Sequence, residues 1–270
     1  MKQVLFYFFL FVNVAQCLQA KDRIINGVVK DIYGNPISYV NVGIIDKGVG
    51  TVSNEIGLFT ISIPDRFYHN KLTVSHVSYK TFDTEISEIK KEYMDITLEN
   101  KYISIPDIVV YPQKGRWVKN KGIRIPGGSA EIDSLGEEIS IFVHVKSTAT
   151  IEKTNLSILS CSYDSVKIRT NLYKLDNELK ATQINASSVY QTLHKSDKKQ
   201  HLTFLFDNIQ TIEKGDYCIA FEVVEFYGCG ELLFPLYSSK CLYRKVSLDR
   251  FEKFPFSFGA AAYIRYLYGK

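Results

Sequence analysis

Residues 24–46 read IINGVVKDIYGNPISYVNVGIID. Two runs rich in β-branched and aromatic residues, Ile24–Ile32 and Ile37–Asp46, flank the turn residues Gly34-Asn35-Pro36. Glycine and asparagine tolerate the backbone angles of tight turns, and proline has no N–H to donate to a neighbouring strand. This stretch therefore predicts two β-strands joined by a turn.

The same pattern continues to Pro112 without helical periodicity. Phe59, Ile61 and Ile63 alternate with other residues, which is the spacing of a strand with one buried face. We expect Ile61, Ile63, Leu72 and Val74 to lie in a core. Further runs are Leu58–Ile63, Leu72–Tyr79, Thr81–Ile86, Met94–Leu98 and Ile108–Tyr111. Short strands at this spacing predict a β-sandwich of about seven strands.

Residues 24–111 carry strand and turn residues in the order typical of one known family. These residues are Ile25-Asn26-Gly27-Val28-Val29, Asp31, Gly34, Pro36-Ile37, Val40-Asn41-Val42, Gly50-Thr51, Asn54-Glu55, Gly57, Phe59, Ile61-Ser62-Ile63-Pro64, Leu72, Val74-Ser75, Val77-Ser78-Tyr79, Ile96-Thr97-Leu98 and Ile108-Val109-Val110. The segment resembles the carboxypeptidase-regulatory-like family, which implies a transthyretin-like β-sandwich. One departure is Ser78, where the family often has glycine before the aromatic residue, and it leaves the fold prediction intact.

The resemblance implies an accessory domain rather than an enzyme. In the peptidases, this sandwich accompanies a separate zinc catalytic domain, and no segment of the present sequence resembles that domain. The same sandwich extends the N-terminus of large outer-membrane receptors driven by TonB. Those receptors need a plug and a long barrel, for which 270 residues leave no room. Asp107–Val110 resembles a TonB box, but we interpret it as the last strand of this sandwich.

The second half of the sequence predicts a linker and a second β-domain. Residues 113–136 combine glycine, proline and basic residues, which predicts a linker with some strand-like pieces. From Ile139 onward the strand pattern resumes, so residues 137–270 predict a second β-sandwich of jelly-roll or Ig-like type. Asn177–Gln200 is polar and predicts a long loop with one extended piece. With residues 21–112 as the first sandwich, the mature chain is predicted to be all-β.

A second, looser resemblance covers this half. It is similar to the region that follows the first domain in short exported proteins of a Gram-negative envelope lineage, for which no activity is assigned. The residues that carry the resemblance are Ser134-Leu135-Gly136-Glu137-Glu138, Tyr163-Asp164-Ser165, Arg169, Asn171-Leu172-Tyr173, Gly215-Asp216-Tyr217 and Phe221-Glu222.

Residues 1–20 predict a signal peptide. Lys2 precedes an apolar run from Val4 to Val12, and small residues suited to cleavage follow. The run is too short to cross a bilayer, which requires about 20 residues. We therefore expect an exported protein, periplasmic or associated with the outer membrane, without a membrane span in the mature chain. Lipidation of Cys17 is the less favoured alternative, because Gln16 is larger than the residue that usually precedes a lipidated cysteine.

Composition and motifs argue against nucleic-acid binding and against several kinds of chemistry. The net charge of +4, from 33 basic and 29 acidic residues, gives no nucleic-acid signature. The five histidines show no metal-ligand spacing, and neither a GxSxG elbow nor a phosphate-binding glycine loop is present. We interpret Asp164-Ser165 near Arg169 as a turn with an exposed ion pair rather than a nucleophile site. We predict no catalytic residue, no metal site and no cofactor.

The cysteines suggest one disulfide bond. Gly228-Cys229-Gly230 marks a tight reversal, so the flanking runs Tyr217–Phe226 and Glu231–Val246 are predicted to pair as antiparallel strands. Cys218 and Cys241 lie at nearly equal distance from this turn, which predicts a bond between them in an oxidising compartment. The alternative is that the cysteines remain reduced and are buried as small apolar groups.

These observations predict a non-enzymatic structural or interaction module of the cell envelope that binds a protein or a glycan. An accessory subunit that regulates or presents an envelope receptor or peptidase is the alternative. A hydrolase in its own right is the least favoured class.

Overall fold

The computed structural model describes residues 22–101, 114–119, 122–195, 201–253, 258–260 and 262–268. Within these ranges the chain forms β-strands and two short 3-10 turns, Asp65–Phe67 and Ile86–Glu88, and it contains no α-helix. The prediction of an all-β fold is therefore confirmed. The predicted signal peptide, Cys17 and the segment Asp107–Tyr111 lie outside the described residues.

The first domain is a sandwich of two sheets. Its strands are β1 (Arg23–Asp31), β2 (Asn41–Ile44), β3 (Val49–Val52), β4 (Leu58–Ile63), β5 (Lys71–Ser75), β6 (Phe82–Glu85) and β7 (Tyr93–Leu98). One sheet has the order β4-β1-β7, in which β1 pairs antiparallel with β4 and parallel with β7. The other has the order β3-β2-β5-β6 and is antiparallel throughout.

Alternation along β4 places the predicted residues in the core between these sheets. Phe59, Ile61 and Ile63 are buried, and the residues between them are exposed. Leu72 and Val74 on β5 are buried against the same cluster, so all four predicted core residues are confirmed. Burying a side chain of this size contributes about 1.5–3 kcal/mol to folding.

The predicted strand Ile37–Asp46 is interrupted, and β2 begins only at Asn41. The interruption lies at Tyr39, whose φ of 55° is left-handed and incompatible with a strand. Gly50-Thr51, which carries part of the family resemblance but lies in none of the predicted strands, is in β3. Neither difference changes the sandwich.

The second domain contains fifteen strands in the described ranges. They are β8 (Lys114–Lys119), β9 (Arg124–Glu131), β10 (Glu138–Val145), β11 (Ala149–Ser157), β12 (Ser160–Cys161), β13 (Ser165–Leu175), β14 (Ala181–Gln183), β15 (Val189–His194), β16 (His201–Ile212), β17 (Gly215–Tyr227), β18 (Leu232–Ser238), β19 (Leu242–Arg244), β20 (Glu252–Lys253), β21 (Phe258–Ala260) and β22 (Ala262–Tyr268). The largest sheet has the order β14-β13-β17-β10-β19-β20, and β15 also pairs with β13.

Two four-stranded sheets cover one face of this seven-stranded sheet. One has the order β16-β11-β22-β8, and the other consists of β12, β18, β21 and β9. Apolar residues from all three sheets form a single core, including Ile168 of β13, Phe204 of β16, Phe221 of β17 and Phe234 of β18. A cavity of about 10 Å³ between these layers is lined by apolar side chains. A space of that size holds at most one water molecule.

Two segments predicted as connections contain strands. The predicted linker 113–136 includes β8, which pairs with β22, and β9, which pairs with β18. The predicted loop Asn177–Gln200 includes β14 and β15, both paired with β13. The exact domain boundaries stay a prediction.

The first domain packs against the other face of the seven-stranded sheet. Tyr39 and Val52 of the first domain form a small apolar cluster with Val224 of β17, and Tyr190 of β15 packs beside them. A second contact is a backbone hydrogen bond of 3.1 Å from the Asp46 N–H to the Leu248 carbonyl. The face that carries these contacts is also the one that holds the charged residues described below.

Within the described ranges, no helix has the length and apolar character that crossing a membrane requires.

Candidate functional site

Four charged side chains form a row across the seven-stranded sheet at the junction of the two domains. Arg169 of β13 lies opposite Glu222 of β17, Glu222 lies opposite Glu138 of β10, and Glu138 lies opposite Arg244 of β19. Residues directly opposite each other on neighbouring strands point to the same face of a sheet. The four side chains therefore share one face, and all four residues are buried. We call this set the junction row.

Glu222 accepts hydrogen bonds on both of its carboxyl oxygens. Its Oε2 accepts hydrogen bonds from Arg169 Nη2 at 2.6 Å, Arg169 Nε at 3.0 Å and Asn171 Nδ2 at 2.7 Å. Its Oε1 accepts a bond of 3.0 Å from the Ser247 hydroxyl. A buried carboxylate with this many donors, one of them a guanidinium, is stabilised in its ionised form.

Glu138 is bonded on one side only. Its Oε1 accepts bonds from Arg244 Nη2 at 2.6 Å, Asn171 Nδ2 at 2.9 Å and the Tyr173 hydroxyl at 3.0 Å. Its Oε2 is buried and receives no N–H or O–H from the described residues. The two carboxyl groups thus differ in their surroundings although they lie side by side.

This difference separates the pKa values of the two carboxyls. Burial raises the pKa of Glu138 to about 7; Arg244 opposes the shift, and the neighbouring charge of Glu222 adds to it. Burial acts in the same direction on Glu222, but Arg169 and Arg244 outweigh it and hold the pKa of Glu222 below its ordinary value. His76 of the first domain lies close by, and burial together with Arg169 lowers its pKa to about 4.

Arg169 joins the second domain to the first. Besides its bonds to Glu222, its Nη1 donates to the Tyr39 carbonyl at 2.6 Å and its Nη2 donates to Asn41 Oδ1 at 2.5 Å. The left-handed backbone of Tyr39 turns that carbonyl towards the second domain. Beside it, Lys167 donates to the Tyr39 hydroxyl, which in turn donates to Glu225 Oε2 at 3.2 Å.

Close backbone approach completes the junction around Ser247. A Cβ atom added to Gly50 of β3 would lie 2.2 Å from the Ser247 carbonyl oxygen. A Cβ atom added to Gly136 would lie 2.2 Å from the Ser247 hydroxyl. Real atoms do not approach this closely, so Gly50 has to be glycine for the first domain to dock against Ser247, and Gly136 has to be glycine for Ser247 to keep its position.

The chemistry available at this site is structural. The junction row is covered by the first domain on one side and by the sheet on the other, so no open cleft reaches it. No group of three or more His, Cys, Asp or Glu side chains suited to a metal ion occurs in the part of the chain that the structure describes.

Comparisons with known proteins bear on the first domain. Residues 25–110 match the family model described as CarboxypepD_reg-like domain. The first domain belongs to this family. The match supports the resemblance seen in the sequence. It indicates that this part of the chain is a non-catalytic β-sandwich module.

Beyond this CarboxypepD_reg-like domain, the comparisons are sparse. No curated protein matches the chain. One similar solved structure is that of the infectious bursal disease virus Gx strain, with 8% identity and a TM-score of 0.31 over 85% of this chain and 52% of that one. Another is the VP2 subviral particle of infectious bursal disease virus, with 7% identity and a TM-score of 0.18 over 92% of this chain and 64% of that one. The present chain thus spans less than two thirds of either viral chain, and nothing about its function follows from them.

The sequence located Arg169 but not its role. The predicted exposed ion pair near Asp164-Ser165 is wrong, because Arg169 is buried and bonds to Glu222 and to the CarboxypepD_reg-like domain. An exposed ion pair requires the polar face of β13, which carries Arg169, to lie in water. That polar face is instead covered by the first domain.

The predicted cysteine pair is separated in the structure. Cys218 lies in β17 and Cys241 directly precedes β19, and both are free thiols. The hairpin on which the disulfide prediction rested is wrong, since β17 and β18 lie in different sheets. Because β10 lies between β17 and β19, the two cysteines are about 9–10 Å apart in the sheet plane. Bridging becomes impossible without backbone movement beyond about 7 Å.

Whether Cys218 and Cys241 form a disulfide stays a prediction, and alkylation of the native protein tests it. From the strand order we expect Cys229, which is exposed, to react with iodoacetamide in the native protein. Cys218 and Cys241 are buried and should react only after unfolding, and burial also raises the pKa of the Cys218 thiol and so disfavours its reactive thiolate. Peptide mapping without reductant provides the measurement. A linked Cys218–Cys241 peptide from native protein would contradict this expectation.

Proposed function

We propose that this chain is an exported, non-catalytic interaction module of the cell envelope, in which the CarboxypepD_reg-like domain and the second sandwich act as one body. The observation that carries the proposal is the docking of a domain of a non-catalytic family through the buried junction row. Buried charged groups that are hydrogen-bonded across a junction hold two domains in a fixed orientation. A fixed orientation suits a module that presents a surface to a partner.

One loop cluster of the first domain is suited to contact a protein. The loop after β1 carries Ile32 and Tyr33, and the turn before β4 carries Ile56; all three are more than half exposed. The two loops are tied together by the Ser38 hydroxyl, which donates to the Glu55 carbonyl at 2.6 Å, and by the Val29 N–H, which donates to the Gly57 carbonyl at 2.9 Å. Aromatic and aliphatic side chains held on rigid turns are common in protein interfaces.

Affinity capture from an envelope extract tests this proposal. We expect the wild-type chain to retain a specific envelope protein and the double variant Tyr33→Ala, Ile56→Ser to lose it. Tyr227→Ala is the matched control, because Tyr227 is 62% exposed on the second domain, far from these loops in sequence. Equal capture by the double variant and the wild type would contradict the assignment of the loops. Capture of a glycan without a protein would show that the partner is a glycan and not a protein.

Export is tested separately on the same material. Cell fractionation should place the protein outside the cytoplasm, and N-terminal sequencing should find a mature terminus near residues 18–21. An intact Met1 on protein recovered from the cytoplasm would refute export, and a lipidated Cys17 would establish the lipoprotein alternative.

A further inference from the structure

Two buried carboxyl groups face each other in the junction row without a cation between them. Glu138 and Glu222 are Cα partners on neighbouring antiparallel strands, and both residues are 0% exposed. Directly opposite residues in such a pair have Cα atoms about 4.5–5.5 Å apart. Each carboxyl has its arginine on the far side, Arg244 for Glu138 and Arg169 for Glu222.

The unpaired oxygen of Glu138 shows how this contact is relieved. Oε1 of Glu138 has three donors, whereas the buried Oε2 has none among the described residues, and the carboxyl of Glu222 is a direct neighbour of the Glu138 carboxyl. Buried polar atoms in native proteins are almost always hydrogen-bonded. A proton on Oε2 turns Glu138 into a donor to Glu222 and removes one of the two adjacent negative charges.

We propose that Glu138 and Glu222 hold one proton between them, and that release of this proton as the pH rises weakens the docking of the first domain. The raised pKa of Glu138 and the lowered pKa of Glu222 agree with this assignment of the proton to Glu138. An ionised Glu138 places a second negative charge beside Glu222, and both carboxyls accept a hydrogen bond from the same amide, Asn171 Nδ2. Repulsion between the two carboxylates and competition for this amide loosen the hold of Glu222 on Arg169, which carries the bonds to Tyr39 and Asn41.

The titratable and charged groups around the pair come from every element packed against it. They are Arg169 and Tyr173 of β13, Cys218 of β17, Arg244 of β19, Tyr190 of β15, and Tyr39 and His76 of the first domain. Of these, His76 has a pKa that burial and Arg169 lower to about 4, so it changes charge at a more acidic pH than Glu138. Burial raises the pKa values of Tyr39, Tyr173 and Cys218, so these groups stay neutral from acid to neutral pH.

The sign of the effect follows from the direction of each shift. The folded chain binds the Glu138 proton more tightly than the unfolded chain does, so the associated stability is complete below the ordinary pKa of 4.5 and is lost as pH rises through about 7. Glu222 and His76, whose pKa values are lowered, contribute stability that is lost on acidification. The contributions of Glu138, Glu222 and His76 to stability change in opposite directions with pH. The contribution of Glu138 is therefore measured as the difference in stability between wild type and a Glu138 variant.

Glu138→Gln is the decisive variant, because glutamine imitates the protonated acid. Its carbonyl oxygen accepts from Arg244 and Tyr173, and its N–H donates to Glu222. The Asp46 amide, which bonds to the Leu248 carbonyl across the junction, reports docking through its hydrogen-exchange protection factor. We expect the protection of Asp46 in wild type to fall relative to Glu138→Gln between about pH 5 and about pH 9. The rise of the Glu138 pKa from 4.5 to about 7 corresponds to a change in the Asp46 protection factor on the order of 10²-fold.

An infrared measurement identifies the proton directly. Wild-type protein at neutral pH should show a carboxylic-acid C=O band that titrates near pH 7 and is absent from Glu138→Gln. Glu137→Gln is the matched control: Glu137 is the adjacent buried carboxyl, it pairs with Lys245 at 3.3 Å, and its replacement should leave the band in place. The proposal is overturned if the band is absent from wild type. It is also overturned if the Asp46 protection of wild type and Glu138→Gln follows the same pH profile.

Discussion

Replacement of Arg169 by alanine is expected to lower the free energy of unfolding by about 3–5 kcal/mol. The loss arises because Glu222 remains buried after its main counter-charge is removed, while the Tyr39 carbonyl and Asn41 Oδ1 lose a donor. Removing one partner of a buried ion pair costs more than the pair contributes, since the remaining charge has no water to stabilise it. Urea denaturation of the full chain provides the measurement.

Two further variants make this result specific. Arg250→Ala is the control for the loss of an arginine, because the Arg250 side chain is 73% exposed and its contact with Glu252 is 3.6 Å long; a change within about 0.5 kcal/mol is expected. Arg169→Lys should not restore stability, since a single ammonium group cannot reach Glu222, Tyr39 and Asn41 together as the planar guanidinium does. A loss below about 1 kcal/mol for Arg169→Ala would show that the junction row does not hold the domains.

Replacement of Leu72 by alanine is expected to cost about 2–5 kcal/mol. Leu72 is completely buried between the two sheets of the first domain, so the variant loses apolar contacts and leaves a cavity. Leu58→Ala offers a matched control, because Leu58 is 39% exposed on the outer face of β4 and its loss should cost less than about 1 kcal/mol.

The first-domain transition in chemical denaturation measures both leucine variants. A cost below about 0.5 kcal/mol for Leu72→Ala would mean that the register of β5 is wrong. Equal costs for the two variants would contradict the sandwich arrangement of the first domain.

The fold of the first domain was predictable because its local signals agree with one another. Phe59, Ile61 and Ile63 alternate with exposed residues, and Gly34, with a positive φ, lies at the turn predicted for Gly34-Asn35-Pro36. Local propensity and hydrophobic pattern that point to the same structure are typical of sequences that specify one fold. The break at Tyr39 was not predictable, since the partners of its carbonyl and hydroxyl come from the second domain, which is distant in sequence.

The strands within the predicted linker were harder to place from the sequence, for a different reason. Strand β9 contains the turn-forming residues Pro126, Gly127 and Gly128. A prediction based on residue propensity therefore assigns this segment to a loop. The partner strand β18 contains Pro235 and shows a shift in register beside it, so this pairing tolerates residues that a regular central strand excludes. Tertiary pairing therefore decided the structure of this segment.

The junction row was hidden in an ordinary pattern. Arg169 and Glu222 are polar residues on strands that also carry apolar residues such as Ile168 and Phe221, which is the pattern of a sheet with one face in water. The junction row is buried because the first domain covers that face of the sheet. Two glutamates directly opposite each other on neighbouring strands repel each other. The sequence shows both glutamates, but only the strand register shows that they are opposite each other.

The span of the junction along the chain has a consequence for the order of folding. The Ser247 hydroxyl lies 3.4 Å from Asn41 Oδ1, 206 residues earlier, and the Arg169 bond to Tyr39 spans 130 residues. Domains generally fold as units during synthesis, with the N-terminal one first, and contacts of such high contact order form late because closing a long loop costs entropy. The first sandwich therefore exists for a time with Tyr39 and Asn41 in water, and its docking is the final event of folding. A chain truncated before Ser247 would complete the first domain and leave it undocked.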